Sequence, residues 1–191
     1  MKSHFFAYVS RMRFIQRWAL MRNTAQENVQ EHSHQVAVLA HALALIRRDI
    51  LGLPTPDPDK CAVAALYHDA SEILTGDMPT PIKYYNPDIK VAYKQVERIA
   101  GERLLEMLPE ALRDSYRAYV LEDVGDMLPI VKAADKLSAY IKCVEEQKAG
   151  NTEFDSAEKS TLAAMKKMER PELQWFIDNC LEPFRMNLDQ L

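Results

Sequence analysis

Histidine and aspartate side chains at a few positions could bind a divalent metal ion. His68 and Asp69 are adjacent, and Glu72 follows within one helical turn, so a helix would place Glu72 beside the pair. Adjacent residues diverge by about 100° on a regular helix. The pair can therefore converge on one ion only at a helix end or with adjusted rotamers, and the glycine and prolines that soon follow are consistent with such an end. Alone, a His-Asp pair is weak evidence, because this dipeptide also occurs by chance.

His32 and Asp135 are the residues that could complete such a site. His32 stands one turn before Val36, on the apolar stripe of a predicted helix, although a lone histidine there is more often a hydrogen-bonded core residue. Asp135 shares a predicted helix face with Val131 and Ser138, which directs it toward the core. A buried carboxylate is costly unless it is paired or bound to a metal. The burial of two imidazoles and two carboxylates on three predicted helices is accounted for if all four groups bind one ion. These ligands are His32, His68, Asp69 and Asp135.

Helices are the elements that must position these residues. Glycine is scarce, with 5 residues, and the composition favours helix-forming residue types. Apolar periodicity and helix-end signals predict eight helices. They lie at about 3–16, 31–49, 58–69, 88–107, 109–121, 129–148, 155–168 and 171–182. Asp57 before Pro58 resembles a helix N-cap. Residues 17–30 and 76–88 are predicted to be loops, and loops of this length in a compact domain are often functional.

Length and composition favour a single all-α domain without a polyanionic partner. A chain of 191 residues has the size of one ordinary domain. The net charge of −4 disfavours binding to a nucleic acid polymer, because such proteins usually carry a basic surplus. The three cysteines are far apart and odd in number, which favours free thiols in a reducing cytosol. No apolar stretch is long enough for a signal peptide or a membrane span, so we expect a cytoplasmic protein with no membrane partner.

The order of these residues, a histidine, a His-Asp pair and a later aspartate in a helical chain, resembles the HD-domain phosphohydrolase superfamily. It resembles more narrowly the bacterial 5′-deoxynucleotidases of that superfamily, over nearly the whole chain. The segments that carry the resemblance are Ser3-His4-Phe5-Phe6, Arg17-Trp18, Glu31-His32-Ser33, Tyr67-His68-Asp69-Ala70-Ser71-Glu72, Thr75-Gly76-Asp77-Met78-Pro79-Thr80-Pro81, Ala134-Asp135 and Ala139-Tyr140-Ile141-Lys142-Cys143. Arg17-Trp18 and the segment that begins at Thr75 narrow it to the nucleotidases.

The resemblance implies a compact helical HD-domain bundle, a single domain over residues 1–191, with a metal core at about 17–148 and C-terminal helices at 152–182 packing on it. It implies hydrolysis of a 2′-deoxyribonucleoside 5′-monophosphate to deoxynucleoside and phosphate, with selection against ribonucleotides, by a homodimer. One divalent transition-metal ion per subunit, cobalt or manganese, is expected. By its chemistry, the ligand set suits cobalt, manganese, iron, nickel or zinc better than magnesium. Four protein ligands on a six-coordinate ion would leave two positions, for water and a phosphate oxygen.

The expected roles of the remaining residues follow from position and from the resemblance. Glu72, one turn past His68, is the candidate to orient or deprotonate the attacking water, the alternative being a surface glutamate. The resemblance assigns Arg17 to the phosphate, which a guanidinium fork matches well. It places Trp18 against the sugar, where a 2′-hydroxyl would crowd the indole, and it makes Asp77 the acceptor for the sugar 3′-hydroxyl. The other expected substrate-binding residues are Met78, Pro79, Thr80, His32, Asp69 and Asp135.

Two alternatives stay open at this point. Another HD-type enzyme, such as a triphosphohydrolase, a cyclic-nucleotide phosphodiesterase or a (p)ppGpp hydrolase, would share the metal residues but generally carries further motifs or more basic residues. A non-catalytic helical module could use a metal only to stabilise its fold. The absence of P-loop, G-x-G-x-x-G and G-x-S-x-G motifs argues against kinases, dinucleotide enzymes and serine hydrolases. Lys83, Tyr84 and Tyr85 could contact a nucleotide or form a solvated loop. Three further histidines have no assigned role, namely His4, His34 and His41.

Overall fold

Ten α-helices make up most of the chain in the structure, a computed structural model that describes residues 2–83 and 85–191. In chain order they are α1 (Phe5–Val9), α2 (Val29–Leu45), α3 (Pro58–Tyr67), α4 (Glu72–Thr75), α5 (Thr80–Lys83), α6 (Pro87–Glu106), α7 (Glu110–Val120), α8 (Leu128–Lys148), α9 (Asp155–Lys167) and α10 (Pro171–Cys180). A 3-10 helix at Ser10–Phe14 extends α1, and a π-helical turn at Ile46–Ile50 extends α2. The described residues form no strand, and Gln16 and Asn28 make an isolated antiparallel bridge.

The eight helices predicted from the sequence all form within a few residues of their expected bounds. The prediction of a single all-α domain is therefore confirmed. Asp57 caps α3 as expected, because its carboxylate accepts the backbone N–H groups of Asp59 and Lys60 at 2.9 and 3.2 Å. The prediction of an uninterrupted loop over 76–88 is wrong in one respect, since α5 forms within it. Proline is tolerated in the first turn of a helix, so Pro81 permits this short element. Tyr84 lies outside the described residues.

The core lies where α2, α3 and α8 pack against one another. Its fully buried side chains include Leu43, Ile130, Leu137 and Ile141. The C-terminal helices bury Met165, Leu173 and Phe176 in the same cluster. A second cluster joins α1, α6 and α7. Within the described part of the chain, no helix combines the length and the apolar character needed to cross a bilayer.

Two helix ends set the positions of the candidate metal ligands. A capping box begins α2, with the Asn28 side chain accepting the Glu31 N–H at 3.0 Å and the Glu31 carboxylate accepting the Asn28 N–H at 3.2 Å. This cap fixes the start of the helix at Val29, three residues before His32. The other end is that of α3 at Tyr67, so that His68 and Asp69 lie in tight turns. An adjacent pair can face one point from such turns, as it could not from a regular helix.

Candidate functional site

Three regions of the fold bring two histidines and two aspartates together. His32 Nε2, on α2, lies 3.2 Å from Asp135 Oδ1, on α8. His68 Nε2 lies 3.1 Å from Asp69 Oδ2, and His32 Nε2 is 3.7 Å from the same Asp69 oxygen. One ligand atom each from His32, His68 and Asp135 fall within 4.8 Å of one another. All four predicted ligands therefore border one small space at the junction of α2, α8 and the turn after α3.

The imidazoles are oriented by hydrogen bonds at their other nitrogen. His68 Nδ1 lies 2.7 Å from the Ala65 carbonyl oxygen, which can only accept, so Nδ1 carries the proton. His32 Nδ1 lies 3.2 Å from Ser138 Oγ, and the Ser138 hydroxyl donates to Gln35 Oε1 at 2.7 Å. The Ser138 oxygen is then an acceptor for His32 Nδ1–H. Both Nε2 atoms are thereby left as lone-pair donors, the form in which imidazole binds a metal.

The space between these groups requires a positive charge. Within residues 2–83 and 85–191, His32 Nε2 and His68 Nε2 are buried without a hydrogen-bond partner, yet each faces a carboxylate oxygen at 3.1 to 3.2 Å. Two acceptors at that distance repel unless they share a proton or a cation. Without a metal, the pKa of His68 rises to about 9, because the Asp69 and Asp135 carboxylates outweigh the effect of burial, which acts to lower it. The donor set and its charge therefore fit a bound divalent cation.

Glu72 begins α4 beside this centre and is nearly inaccessible, with 5% of its surface exposed. Among the described residues, its buried Oε2 atom has no hydrogen-bond partner. Burial, together with the charges of Asp69 and Asp77, raises the pKa of Glu72 to about 10. A surface glutamate, the alternative considered from the sequence, does not fit this burial. Glu72 is instead a carboxyl group that can hold or accept a proton next to the candidate metal ligands.

The loop between α1 and α2 brings Arg17 and Trp18 to the same place. Arg17 Nη1 lies 3.4 Å from Asp69 Oδ2, and Arg17 Nε donates to Glu27 Oε2 at 3.1 Å. Burial acts to lower the pKa of Arg17, but the Asp69 and Glu27 charges outweigh it and raise the pKa above its usual range. The Trp18 ring packs against Phe154, with ring centroids 5.3 Å apart. A fixed guanidinium and an indole thus stand side by side at the edge of the centre.

A turn at Gly76 carries the chain from α4 past the centre. Gly76 has a φ of 75°, in the left-handed region that favours glycine. The Tyr93 hydroxyl donates to the Gly76 carbonyl oxygen at 3.1 Å, which holds this turn against α6. Asp77 follows, half-buried, and burial raises the pKa of its carboxyl group. Met78 and Pro79 are half-buried and Thr80 is exposed at the start of α5.

Several residues at the site were not singled out from the sequence. Glu27 contacts Arg17 and Trp18, and Ser138 orients His32. For Ser138 the sequence held a signal, because it lies one turn after Asp135 on the same helix face. For Glu27 it held none, since its partners lie across a loop. Of the histidines without an assigned role, His34 is exposed, and His41 pairs with Asp59 at 3.3 Å on the surface.

The chain is similar to known nucleotidases over its full length. It matches the profile of the family described as 5′-deoxynucleotidase YfbR-like over residues 4–184. A 5′-deoxynucleotidase of Shewanella oneidensis is 47% identical over 191 residues, which cover 99% of this chain and 97% of the relative. One of Vibrio cholerae is 46% identical over 192 residues, with coverage of 100% and 98%.

Solved structures of HD phosphohydrolases share the fold. One from Listeria innocua superimposes with a TM-score of 0.82 at 22% sequence identity, covering 95% of this chain and 88% of that one. The HD phosphohydrolase of cyanophage S-2L, solved with dA and one catalytic Zn²⁺ ion, gives a TM-score of 0.64 at 22% identity, with coverage of 92% and 95%. At this level of identity the structures support the fold alone.

Proposed function

The chain belongs to the 5′-deoxynucleotidase YfbR-like family, and from this premise we propose how its residues hydrolyse a 2′-deoxyribonucleoside 5′-monophosphate. The chain is a 5′-deoxynucleotidase with an HD phosphohydrolase fold. One observation carries the assignment of its active site. Two buried imidazole Nε2 atoms have no hydrogen-bond partner in the described part of the chain and face the carboxylates of Asp69 and Asp135. A cluster of this kind costs stability unless a cation completes it.

We assign one divalent ion per subunit to His32, His68, Asp69 and Asp135. Two nitrogen and two oxygen donors suit a borderline transition metal, and cobalt or manganese is our proposal for its identity. When bound, the ion would neutralise charge on the phosphoryl oxygens and lower the pKa of water and of neighbouring carboxyl groups. The same ligands His32, Asp69 and Asp135 would also border the bound phosphate.

Arg17 and Glu72 are the proposed catalytic residues. The reaction breaks the bond between phosphorus and the 5′ oxygen, and water supplies the new oxygen. Arg17 keeps its charge at all relevant pH, and its Nη edge can donate to two phosphoryl oxygens while Glu27 holds Nε. Glu72 would orient the attacking water and accept its proton through the buried Oε2 atom that has no other partner. The proton accepted by Glu72 could then pass to the departing 5′ oxygen.

Trp18 and Asp77 are the proposed sugar-binding residues. The indole stands next to Arg17, and Asp77 lies close enough to Arg17 and Asp69 for their charges to affect its pKa. A 2′-hydroxyl pressed against the indole would lose its hydrogen bonds to water, whereas Asp77 would accept a bond from the 3′-hydroxyl. Met78, Pro79 and Thr80 would line the same pocket. This arrangement supports selection against ribonucleotides by steric fit, since an apolar wall alone rejects a hydroxyl only by about 10²-fold.

A phosphate-release assay tests the proposal directly. The full chain is loaded with Co²⁺, Mn²⁺ or Zn²⁺ and incubated with dAMP, AMP, dATP and a cyclic dinucleotide. We expect release from dAMP well above release from AMP and little from the others. Equal release from dAMP and AMP would contradict the sugar selection, and release from dATP or the cyclic dinucleotide in preference to dAMP would contradict the monophosphate assignment. Metal analysis of protein purified without chelator would identify the ion.

We also propose a homodimer in the cytoplasm, with residues 17–148 as the metal core and the helices at 152–182 packing on it. The resemblance to bacterial 5′-deoxynucleotidases supports the dimer. The three free cysteines, of which Cys61 and Cys143 are buried, are in keeping with a reducing compartment. Light scattering of the purified full chain tests the dimer, and a mass of one subunit at micromolar concentration would contradict it.

A further inference from the structure

One carboxylate oxygen joins the two side chains to which phosphate and sugar binding are assigned. Glu27 Oε2 accepts a hydrogen bond from Arg17 Nε at 3.1 Å and from Trp18 Nε1 at 2.9 Å. The Glu27 and Arg17 side chains are each 12% exposed, so water competes little for these bonds. The second Glu27 oxygen lies 4.0 Å from His32 Nδ1, too far for a hydrogen bond. The contacts of Glu27 are therefore directed at Arg17 and Trp18 rather than at the metal ligands.

The backbone ties Glu27 to Arg17 a second time. The Arg17 N–H donates to the Glu27 carbonyl oxygen at 2.9 Å, and the Val29 N–H donates to the Ile15 carbonyl oxygen at 2.9 Å. These two bonds close the loop at its base. The backbone bonds fix the point from which the Arg17 side chain leaves the loop, and the bond to the Glu27 carboxylate then directs its guanidinium.

Trp18 requires such support because its backbone conformation is unusual. Its φ is 59°, a left-handed value that is rare for a bulky side chain and persists only where the surroundings impose it. The bond from the indole to Glu27 and the contact with Phe154 support the side chain, and the Met21 N–H supports the backbone by donating to the Trp18 carbonyl oxygen at 2.9 Å. Local preference alone would not direct the indole to this side of the loop.

We propose that Glu27 is a positioning residue that fixes Arg17 and Trp18 relative to each other, so that phosphate orientation and sugar selection depend on the same carboxylate. The inference rests on the proposed roles of Arg17 and Trp18. Without the Glu27 carboxylate, Asp69, at 3.4 Å, would be the remaining ion-pair partner of the Arg17 guanidinium among the described residues, and the guanidinium would turn toward it. The Nη atoms of Arg17 would then point away from the phosphate, and the indole of Trp18 would lose the hydrogen bond that fixes the orientation of its ring.

Steady-state kinetics on dAMP and AMP test this coupling in the metal-loaded full chain. In Glu27→Ala we expect kcat/KM for dAMP to fall on the order of 10- to 100-fold, mainly through KM, and the preference for dAMP over AMP to narrow. Glu27→Gln keeps the length and one acceptor oxygen, and should recover part of both losses. Glu31→Gln is the matched control, because it removes a carboxylate four residues further along the chain, in the first turn of α2. Glu31 bonds to Asn28 rather than to Arg17 or Trp18, and glutamine serves equally in a capping box.

The emission wavelength of Trp18 reports on the surroundings of its indole, and a general loss of stability does not change it as long as the protein stays folded. The chain has two tryptophans, so Trp175→Phe leaves Trp18 as the emitter. We expect the emission of Trp18 to shift to longer wavelength in Glu27→Ala and to stay in place in Glu31→Gln. If Glu27→Ala does not fold, Glu27→Gln gives the same comparison. Unchanged emission together with an unchanged KM would overturn the proposal.

A double-mutant cycle separates this inference from the proposed function. Trp18→Ala should narrow the preference for dAMP, and it should do so much less when Glu27 is already alanine, because residues that act together are not additive. Additive effects would overturn the positioning role. If Trp18→Ala leaves the preference unchanged in the parent protein, the sugar role of Trp18 is wrong, and Glu27 is still judged by the emission of Trp18 and by KM for dAMP.

Discussion

Helix α8 carries two buried polar clusters on one face, and they differ in how their hydrogen bonds are satisfied. Asp135 and Ser138 lie in its first half and face the catalytic centre, whereas Lys142 and Glu146 lie one and two turns further along. In the proposed catalytic centre, buried atoms of His32, His68 and Glu72 have no hydrogen-bond partner among the described residues. Around Glu146, both carboxylate oxygens accept hydrogen bonds. Both pairs on α8 have the spacing of one helical turn, so the difference lies in the partners.

The Glu146 cluster anchors the loop that carries Arg17 and Trp18. Glu146 Oε2 accepts from Thr24 N at 2.9 Å, Thr24 Oγ1 at 2.6 Å and Asn151 Nδ2 at 2.8 Å. Glu146 Oε1 accepts from Ala25 N at 3.2 Å and pairs with Lys142, whose ammonium also donates to the Ala25 carbonyl oxygen. The carboxylate thus replaces the water that the loop backbone would otherwise bind. This half of the helix face stabilises the fold.

Burial alone does not distinguish side chains that stabilise the fold from side chains that act in catalysis. An unsatisfied buried polar group costs about 1–3 kcal/mol, so a fold keeps such groups only where something else requires them. In the Glu146 cluster every bond is made within the chain, and its removal should cost stability. In the proposed catalytic centre, we assign the unmade bonds to a cation, water and substrate. Removing a side chain of this centre should lower activity, and it should leave the stability of the fold unchanged or increase it.

Glu72→Gln is the variant expected to have the largest effect. The amide keeps the size of the side chain but cannot accept a proton from water, so we expect kcat on dAMP to fall by about 10²- to 10⁴-fold. Metal content should stay the same, and the thermal midpoint should hold or rise, because a buried carboxyl group without a partner is removed. Turnover near the parent rate would contradict the role of Glu72, and a large loss of stability would place it in the same class as Glu146.

Glu146→Ala is expected to have the next largest effect, on folding. Removing the carboxylate leaves the Lys142 ammonium buried without its partner, and breaking such a pair costs about 3–5 kcal/mol. Urea unfolding of the chelator-treated protein measures this difference. Glu146→Gln should cost less, because its carbonyl oxygen can still accept from the loop. A loss under about 1 kcal/mol in Glu146→Ala would mean that the loop is held by other contacts.

Ser138→Ala tests the boundary between the two clusters. The Ser138 oxygen accepts from His32 Nδ1–H and so keeps Nε2 available to the metal. Partners of this kind typically contribute 10- to 100-fold to metal affinity, and we expect metal binding to weaken within that range while the urea midpoint changes little. Competition with a chromogenic chelator measures the affinity. If stability falls as in Glu146→Ala and affinity does not change, Ser138 belongs with the anchor.

The helices and the clustering of the four candidate metal ligands could be predicted from the sequence because both depend on local signals. Apolar spacing and caps such as Asp57-Pro58 mark the helices. A His-Asp pair at a helix end, with Asp135 facing inward, marks the ligands. These signals extend over one or two helical turns, which is why the bounds of α8 were predicted within a residue.

The anchoring of the loop could not be predicted in the same way. Thr24 and Glu146 are 122 residues apart in sequence, and nothing in a lysine and a glutamate four residues apart distinguishes a buried pair from a solvated one. Lys142 and Glu146 do continue the inward face of Asp135 and Ser138, so the helical spacing held a signal that the pattern of apolar residues obscured. Glu27 is harder still, because its two partners are chosen by the shape of a loop.

The pH dependence of stability provides the smallest and most discriminating test of the two clusters. Burial acts to raise the pKa of Glu146, but hydrogen bonds from Lys142, Thr24 and Asn151 outweigh it and hold the pKa well below its ordinary value. Because the pKa of Glu146 is lower in the folded chain than in the unfolded chain, where it is about 4.3, this carboxylate stabilises the fold above pH 4.3. That stability is lost as the pH falls from there through the folded pKa. The effect of Glu72 on stability has the opposite sign, because burial raises the pKa of its carboxyl group to about 10. Above about pH 4.3, where the unfolded chain would ionise this group, Glu72 therefore lowers the stability of the fold.

Urea midpoints of the chelator-treated protein between pH 3.5 and pH 8 should therefore place the two glutamine variants on opposite sides of the parent. At pH 7 we expect Glu146→Gln to be less stable and Glu72→Gln to be more stable, each by about 1–3 kcal/mol. As the pH falls toward 4, the Glu72→Gln difference should nearly vanish, because the unfolded parent then also holds a proton on Glu72. The Glu146→Gln difference should only begin to shrink, because it is lost between about pH 4.3 and the much lower folded pKa of Glu146. Two variants on the same side of the parent at pH 7 would mean that the clusters do not differ as their hydrogen bonds indicate.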